Sequence, residues 1–309
     1  MKTLFRWLAA TALATTLAGA VHAQALTYPK AFTFREVATN GTTIHVRQAG
    51  TGPAVVLLHG YGETGDMWVP LATELARDHT VVVPDLRGLG RSAKPKGGFD
   101  KMNQAGDVAG VLDALKIEQA DVVAHDIGNM VAFAFAAKYP QRVGRLVVID
   151  APVPGVGPWD EILKNPLLWH FRFGGPDMER LVAGRERIYL DRFWNEFSAT
   201  PARFSEPARQ HYAKLYALPG AMHSGFSQFA AFDQDAIDNR AWLAAGNQLK
   251  MPVLALGGEK SFGLVMAAVM RNAATDVREG VVPGSGHWIM EENPQATVAL
   301  VTGFLGEKR

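Results

Sequence analysis

Four short apolar runs punctuate the first half of the chain: AVVLL at 54–58, TVVV at 80–83, ADVVA at 120–124 and RLVVI at 145–149. Between them lie segments of helical period, near 67–77, 103–115 and 129–138. Apolar runs of this length, bounded by helical segments, read as strands buried on both faces, so the alternation predicts a parallel sheet covered by helices on both sides. Ahead of them, FREVATNGTTIHVRQAG holds two β-like stretches around Asn40-Gly41, a two-residue hairpin signal. The rhythm stops at APVPGVGPW, 151–159, and up to 246 the chain offers aromatic-rich helical stretches such as LLWHFRF and ARQHYAKLYA, with no convincing strand. From Met251 the alternation resumes with PVLAL, a helix near 265–273, DVREGVVP and a last helix near 294–304. The pattern therefore predicts a core built from 24–151 and 247–309, interrupted by a helical cap at 152–246.

The first segment follows a different logic. Lys2 and Arg6 precede an acid-free apolar run that ends in Val21-His22-Ala23, with small residues at the positions a signal peptidase reads. A signal peptide over 1–23 is expected, and with it export to the periplasm or beyond a bacterial cell. The run is short for a membrane span, and no other run is long enough to supply one. Removing Lys2 and Arg6 leaves basic and acidic residues balanced to within one, so no charge excess points to nucleic acid or an anionic surface. The chain has no cysteine, which excludes disulfides, thiolate nucleophiles and Cys-ligated metals. No His/Asp/Glu cluster has metal-ligand spacing, and no cofactor is expected.

Candidate chemistry collects where a parallel sheet presents it, at the carboxyl ends of strands. HGYGE (59–63) follows the first run, DLRGLGRS (85–92) the second, and HDIG (125–128) the third. PGSGHW (283–288) follows the last strand. VVAHDIGNM has the small-x-nucleophile-x-small form of a sharp strand-to-helix turn, with Asp126 where serine usually stands. An aspartate there attacks saturated carbon and forms an alkyl ester; it does not relay acyl groups as serine does. The start of the following helix stabilises its charge. The N–H groups of Tyr61 and Ile127 are placed to hold an oxyanion during ester hydrolysis. His287, in its glycine-rich loop, suits the base that activates water.

These motifs make the chain resemble α/β-hydrolases of the epoxide hydrolase and dehalogenase branch. The cap stretch LLWHFRF, LVAGRER (181–187) and IDAPVP (149–154) are more specifically similar to secreted Cif-type bacterial epoxide hydrolases. The resemblance implies a mostly parallel eight-stranded sheet with an inserted helical cap, an Asp126 nucleophile and a His287 base. It places the orienting acid at Asp150, with Glu259 of Gly258-Glu259-Lys260-Ser261 as the other placement. It also implies that His170 donates a proton during ring opening. His59, Trp169, Phe171 and Phe229 are expected to contact a small apolar epoxide, and a homodimer through the cap is implied as well. A second cap donor, a tyrosine in the family, falls on Phe229, which has no hydroxyl. Haloalkane dehalogenases carry Trp after the nucleophile, and haloacetate dehalogenases Arg there and three residues on; here stand Ile127 and Met130. Epoxide hydrolysis to a vicinal diol is thus the expected activity, with halide displacement through the same ester as the alternative. A catalytically idle binding protein would not be expected to keep nucleophile, base and oxyanion turn together.

Overall fold

The computed structural model describes residues 26–307, so the expected signal peptide lies outside the described residues. Eight strands form one sheet: β1 (Thr33–Thr39), β2 (Thr42–Ala49), β3 (Ala54–Leu58), β4 (Thr80–Pro84), β5 (Ala120–His125), β6 (Val143–Ile149), β7 (Val253–Gly258) and β8 (Val277–Val282). Their spatial order is β1-β2-β4-β3-β5-β6-β7-β8. The first two pair with their neighbours antiparallel and the rest run parallel. Asn40 and Gly41 both adopt positive φ at the β1–β2 turn, the conformation a tight two-residue hairpin requires. β3, β4, β5 and β6 are almost wholly buried, as their unbroken apolar runs demand.

Helices α1 (Val69–Leu75), α2 (Lys101–Ala114) and α3 (Ile127–Lys138) connect the early strands. Between β6 and β7 lie the cap helices α4 (Trp159–Ile162), α5 (Pro176–Val182), α6 (Glu186–Glu196), α7 (Glu206–Tyr216), α8 (Ala221–Ala230) and α9 (Phe232–Ala244), with a 3-10 segment at Pro166–Arg172. Then follow α10 (Val265–Met270), α11 (Ile289–Glu292) and α12 (Pro294–Leu305). No strand forms in the insertion, as its pattern predicts. The expected 67–77 helix is split: Gly65–Trp68 is a 3-10 turn capped by Thr64, and Pro70 sits in the first turn of α1.

Buried charge ties the hairpin to the strand ends. Arg47 on β2 is fully buried and grips Asp85 (2.8 Å) and Asp66 (2.7 Å). Asp85 also accepts from the Gly65 and Arg91 N–H groups, and its carboxyl is held well below the ordinary range: burial opposes this, but Arg47 prevails. Leaving Arg47 without one partner would cost about 3–5 kcal/mol. The DLRGLGRS motif is thus a structural knot.

The cap is pinned by similar means. Lys101 is buried against Asp235 of α9 at 3.2 Å, and its ammonium donates to the Gln228 carbonyl of α8. Gln228 in turn donates to the Arg87 carbonyl and accepts from Gln104. Such buried pairs hold only while fully partnered, so α8 and α9 sit at a fixed height over the sheet.

Gly128 shows how tightly α3 is seated. A Cβ there would lie 2.5 Å from the Leu58 carbonyl oxygen and 2.8 Å from that of His59, and neither backbone atom can yield. Gly128→Ala is expected to lower unfolding stability by about 1–3 kcal/mol. Gly303→Ala, in α12 with open space around it, is expected to raise stability by about 0.5–1 kcal/mol. Denaturant midpoints of the two variants against the parent check both signs.

Candidate active site

β5 and β6 are in parallel register, with His125 opposite Ile149, so the residue after each strand emerges at the same level of the sheet. Those residues are Asp126 and Asp150, and both are held at positive φ, 51° and 53°. Such a backbone costs a non-glycine residue of order 1–3 kcal/mol and turns its side chain up from the strand end. Asp126 caps α3 with ψ −124°, a sharp turn that leaves the carboxylate partly open. Its Oδ1 accepts the Tyr61 N–H at 2.7 Å. Ile127 is the first residue of α3, where a backbone N–H has no partner four residues back. Oδ2 lies 3.7 Å from His287 Nε2.

His287 faces Asp150 with its other nitrogen: Nδ1 is 2.9 Å from Oδ2 and 3.0 Å from the carbonyl oxygen of the same residue. Asp150 Oδ1 accepts from the Gly258 and Phe262 N–H groups at 2.7 and 3.2 Å. Nδ1–H therefore donates to Asp150, and Nε2 points at Asp126. Burial pushes His287 down, but the Asp150 hydrogen bond and the Asp126 and Asp150 charges outweigh it and raise its pKa to about 9. Asn129, from the same VVAHDIGNM stretch, clamps the second elbow. Its amide donates to the Ile149 and Ala151 carbonyls and accepts the Ile149 N–H.

A cavity of about 590 Å³ opens above these groups, walled by Tyr61, Met130, His170, Phe171, Phe193 and Phe229. Asp126, Asp150 and His287 form its floor. His170 is stacked edge-on against Phe193 and Phe229. Its Nδ1 lies 3.4 Å from the Arg192 guanidinium, which can only donate, so this contact favours the tautomer with the proton on Nε2. Burial first, and the Arg192 charge second, lower its pKa to about 3, so at neutral pH it is an uncharged N–H donor.

Three expected contacts are corrected by the structure. His59 is fully buried outside the cavity: Nδ1–H donates to the Gly60 carbonyl and Nε2 accepts the Leu86 N–H. Burial lowers its pKa, and it locks the HGYGE turn to the DLRGLGRS turn. Trp169 is 44% exposed and lies under Arg192 on the outside of the cap, since successive side chains of a 3-10 segment point to different sides. Glu259 is exposed and holds the Gly284 N–H and Lys260 instead of His287. Phe229 is where the second donor was expected, with its ring 4.7 Å from that of Tyr61. Tyr212 is buried in the cap, while the Tyr216 hydroxyl accepts from Gly62 N–H and donates to the Glu63 carbonyl. Arg192 and Asn129 were not singled out by sequence; only Asn129, inside the elbow motif, carried a signal.

Over residues 53–294 the chain matches the profile of the alpha/beta hydrolase fold, and it belongs to that family. Within the family it is a hydrolase whose relatives include epoxide hydrolases and dehalogenases. It is 33% identical over 285 residues to the soluble epoxide hydrolase of Corynebacterium sp. (strain C12), covering 90% of this chain and 98% of that one. Fluoroacetate dehalogenase from Burkholderia sp. is 29% identical over 299 residues, covering 90% and 95%. The Cif epoxide hydrolase from Acinetobacter nosocomialis matches with a TM-score of 0.85 over 91% of each chain, at 24% identity, a likeness of fold alone.

The charge balance of the floor yields a measurable consequence. Asp126→Asn removes one of the anions that raise His287, so the His287 pKa is expected to fall below its parent value of about 9. Histidine resonances followed by NMR against pH, with substrate absent, check the direction; an unchanged or raised value would contradict it.

Proposed function

We propose that the protein hydrolyses epoxides to vicinal diols through an ester on Asp126. The observation that carries this reading is the pairing of Asp126, on the floor of an apolar cavity, with one uncharged N–H donor, His170, on its cap side. Asp126 Oδ2, the oxygen not held by Tyr61, attacks an epoxide carbon and breaks its bond to the ring oxygen. His170 Nε2–H steadies the alkoxide as it forms, and the alkoxide takes up a proton to become the first hydroxyl. Oδ1 then remains the ester carbonyl, already 2.7 Å from the Tyr61 N–H that stabilises it as an oxyanion.

Ester formation removes the Asp126 charge, and with it part of what keeps His287 protonated, so the imidazolium gives up, by way of solvent, the proton that the alkoxide takes up. The imidazole then takes a proton from water, and the resulting hydroxide adds to the ester carbon. Breaking the acyl bond releases the diol and regenerates the carboxylate with one oxygen from solvent. Asp150 holds the imidazole orientation throughout. The segment 1–23 supports export, which would place this reaction outside the cytoplasm.

The missing hydroxyl at Phe229 favours a second reading, halide displacement from a neutral haloalkane, since a departing halide needs a hydrogen bond and no proton. A haloacid is a poorer fit. Lys260 is the one lysine or arginine among the described residues lining the cavity, and its side chain is exposed and paired with Glu259.

Single turnover in heavy-oxygen water separates these readings. With styrene oxide, diol should form and the peptide containing Asp126 should gain heavy oxygen. Label appearing only with a haloalkane, with halide released, would replace the epoxide reading. In His287→Gln the ester should accumulate, as intact-mass spectrometry would show, because alkylation precedes water activation. His170→Phe should lower kcat on epoxides by about 10²-fold or more, the usual weight of a positioned proton-handling group.

A further inference from the structure

Behind His287, away from the cavity, lie three more buried titratable groups: Glu63 from the turn after β3, His125 at the end of β5, and Glu291 in α11. None lines the cavity. His125 Nε2 is 2.9 Å from the backbone carbonyl oxygen of His287, and a carbonyl only accepts, so Nε2 carries a proton. Burial, with the neighbouring His287 charge, lowers the His125 pKa to about 4, so the ring is neutral and its Nδ1 is a bare acceptor. Facing that Nδ1, at 3.1 Å, is Glu63 Oε2. Two acceptors do not hydrogen-bond, so Glu63 supplies the proton.

The same reasoning applies one step further out. Glu63 and Glu291 are buried within reach of each other's charge, and two carboxylates so placed cannot both ionise. Glu63 Oε1 and both Glu291 oxygens find no other donor among the described residues apart from the Glu291 backbone. Burial raises Glu63 to about 8, while burial and the Glu63 charge raise Glu291 well above the carboxylate range. The other titratable groups facing the pair are Asp126, His287, and Tyr212 and Tyr216 of α7, whose phenols burial holds above their ordinary value. Neighbouring Glu292 is occupied with the Thr200 and Gly286 N–H groups. No lysine or arginine is among these groups, and the His287 charge, which favours an ionised Glu63, is outweighed by burial.

We propose that Glu63 and Glu291 are positioning residues: an uncharged, proton-sharing carboxyl pair that holds the His287 backbone through His125 and keeps negative charge away from the imidazole. The chain of donors runs from Glu291 to Glu63, from Glu63 to His125 Nδ1, and from His125 Nε2–H to the His287 carbonyl. An ionised Glu63 would break the middle link. It would also stabilise the His287 imidazolium, whose charge it favours, and so disarm the base. The second consequence rests on the reading of His287 as the base; the protonation of the pair does not.

The test therefore has two arms. Infrared spectra of the resting enzyme in heavy water at neutral pH should show the carbonyl band of buried protonated carboxyls, which loses part of its intensity in Glu63→Gln and part in Glu291→Gln. Absence of that band, or its survival unchanged in both variants, overturns the proposal whatever the substrate proves to be. In the second arm, ester hydrolysis is followed against pH by single turnover. The parent should lose rate on the alkaline side as the pair ionises. Glu63→Gln, whose amide still donates to His125 but cannot ionise, should lose that alkaline limb and stay active at neutral pH. An identical alkaline limb in Glu63→Gln overturns the proposal. Should that variant not fold, titration of the infrared band in the parent protein decides alone: a band that persists unchanged through the alkaline fall in rate separates the pair from it and overturns the proposal.

Discussion

Everything in the site depends on two aspartates held in a left-handed backbone at neighbouring strand ends. β5 and β6 bring Asp126 and Asp150 to one level, and positive φ at each lifts a carboxylate where an extended residue would point it into a sheet face. Each conformation costs of order 1–3 kcal/mol and persists only because its surroundings over-determine it. For Asp126 the hold is the Tyr61 N–H and the close seat of Gly128 on the β3 backbone; for Asp150 it is the N–H groups of Gly258 at the end of β7 and Phe262 in the loop after it, with the Asn129 amide. Because Asn129 lies in α3, begun by Asp126, the two elbows are mechanically one piece. His287 needs only to fall between them.

The cap completes this geometry as a fixed wall. Its helices are pinned by buried polar contacts below α8 and α9, and it reaches the base directly: the His287 N–H donates to the Phe197 carbonyl and Trp288 to that of Phe193. Phe193 also forms one side of the His170 stack. The donor above the cavity and the imidazole below it are therefore referenced to one short piece of α6 and its end. A shift of the cap would move both, which couples substrate orientation to water activation.

The fold was legible because its signals are local. Four apolar runs, a hairpin dipeptide and a loss of strand pattern after residue 150 are each readable within about ten residues, and the sheet follows from their order. The floor of the site was legible for the same reason, since Asp126, Asp150 and His287 stand at strand ends where topology alone collects them. What failed were statements about side-chain direction. Trp169 and His170 are adjacent, and only the packing of the segment against the rest of the cap decides that the histidine faces in and the tryptophan out. His59 sits in a motif that resembles a binding turn, yet its ring is consumed by the next loop. Glu259 follows β7 by one residue and turns to Gly284, while Asp150, with its unusual backbone, takes the place beside the imidazole. Arg192 had no local signature; its effect on His170 exists only because α6 and the 3-10 segment pack together.

Charge explains how these parts form a cycle. In the resting site two anions flank His287 and favour its imidazolium, a state unable to take a proton from water but well suited to keeping Asp126 paired and in place. His170 adds no charge, so it offers an incoming neutral molecule an uncharged N–H across the cavity from the Asp126 carboxylate. In the proposed reaction, formation of an ester would erase one of the two anions beside His287, and the imidazole would become a base only then. A permanent third anion behind it would hold the imidazolium in both states and stop the cycle after its first half. This gives a physical reason for burying Glu63 and Glu291 together without a lysine or arginine: their burial, more than any contact with substrate, keeps that position uncharged.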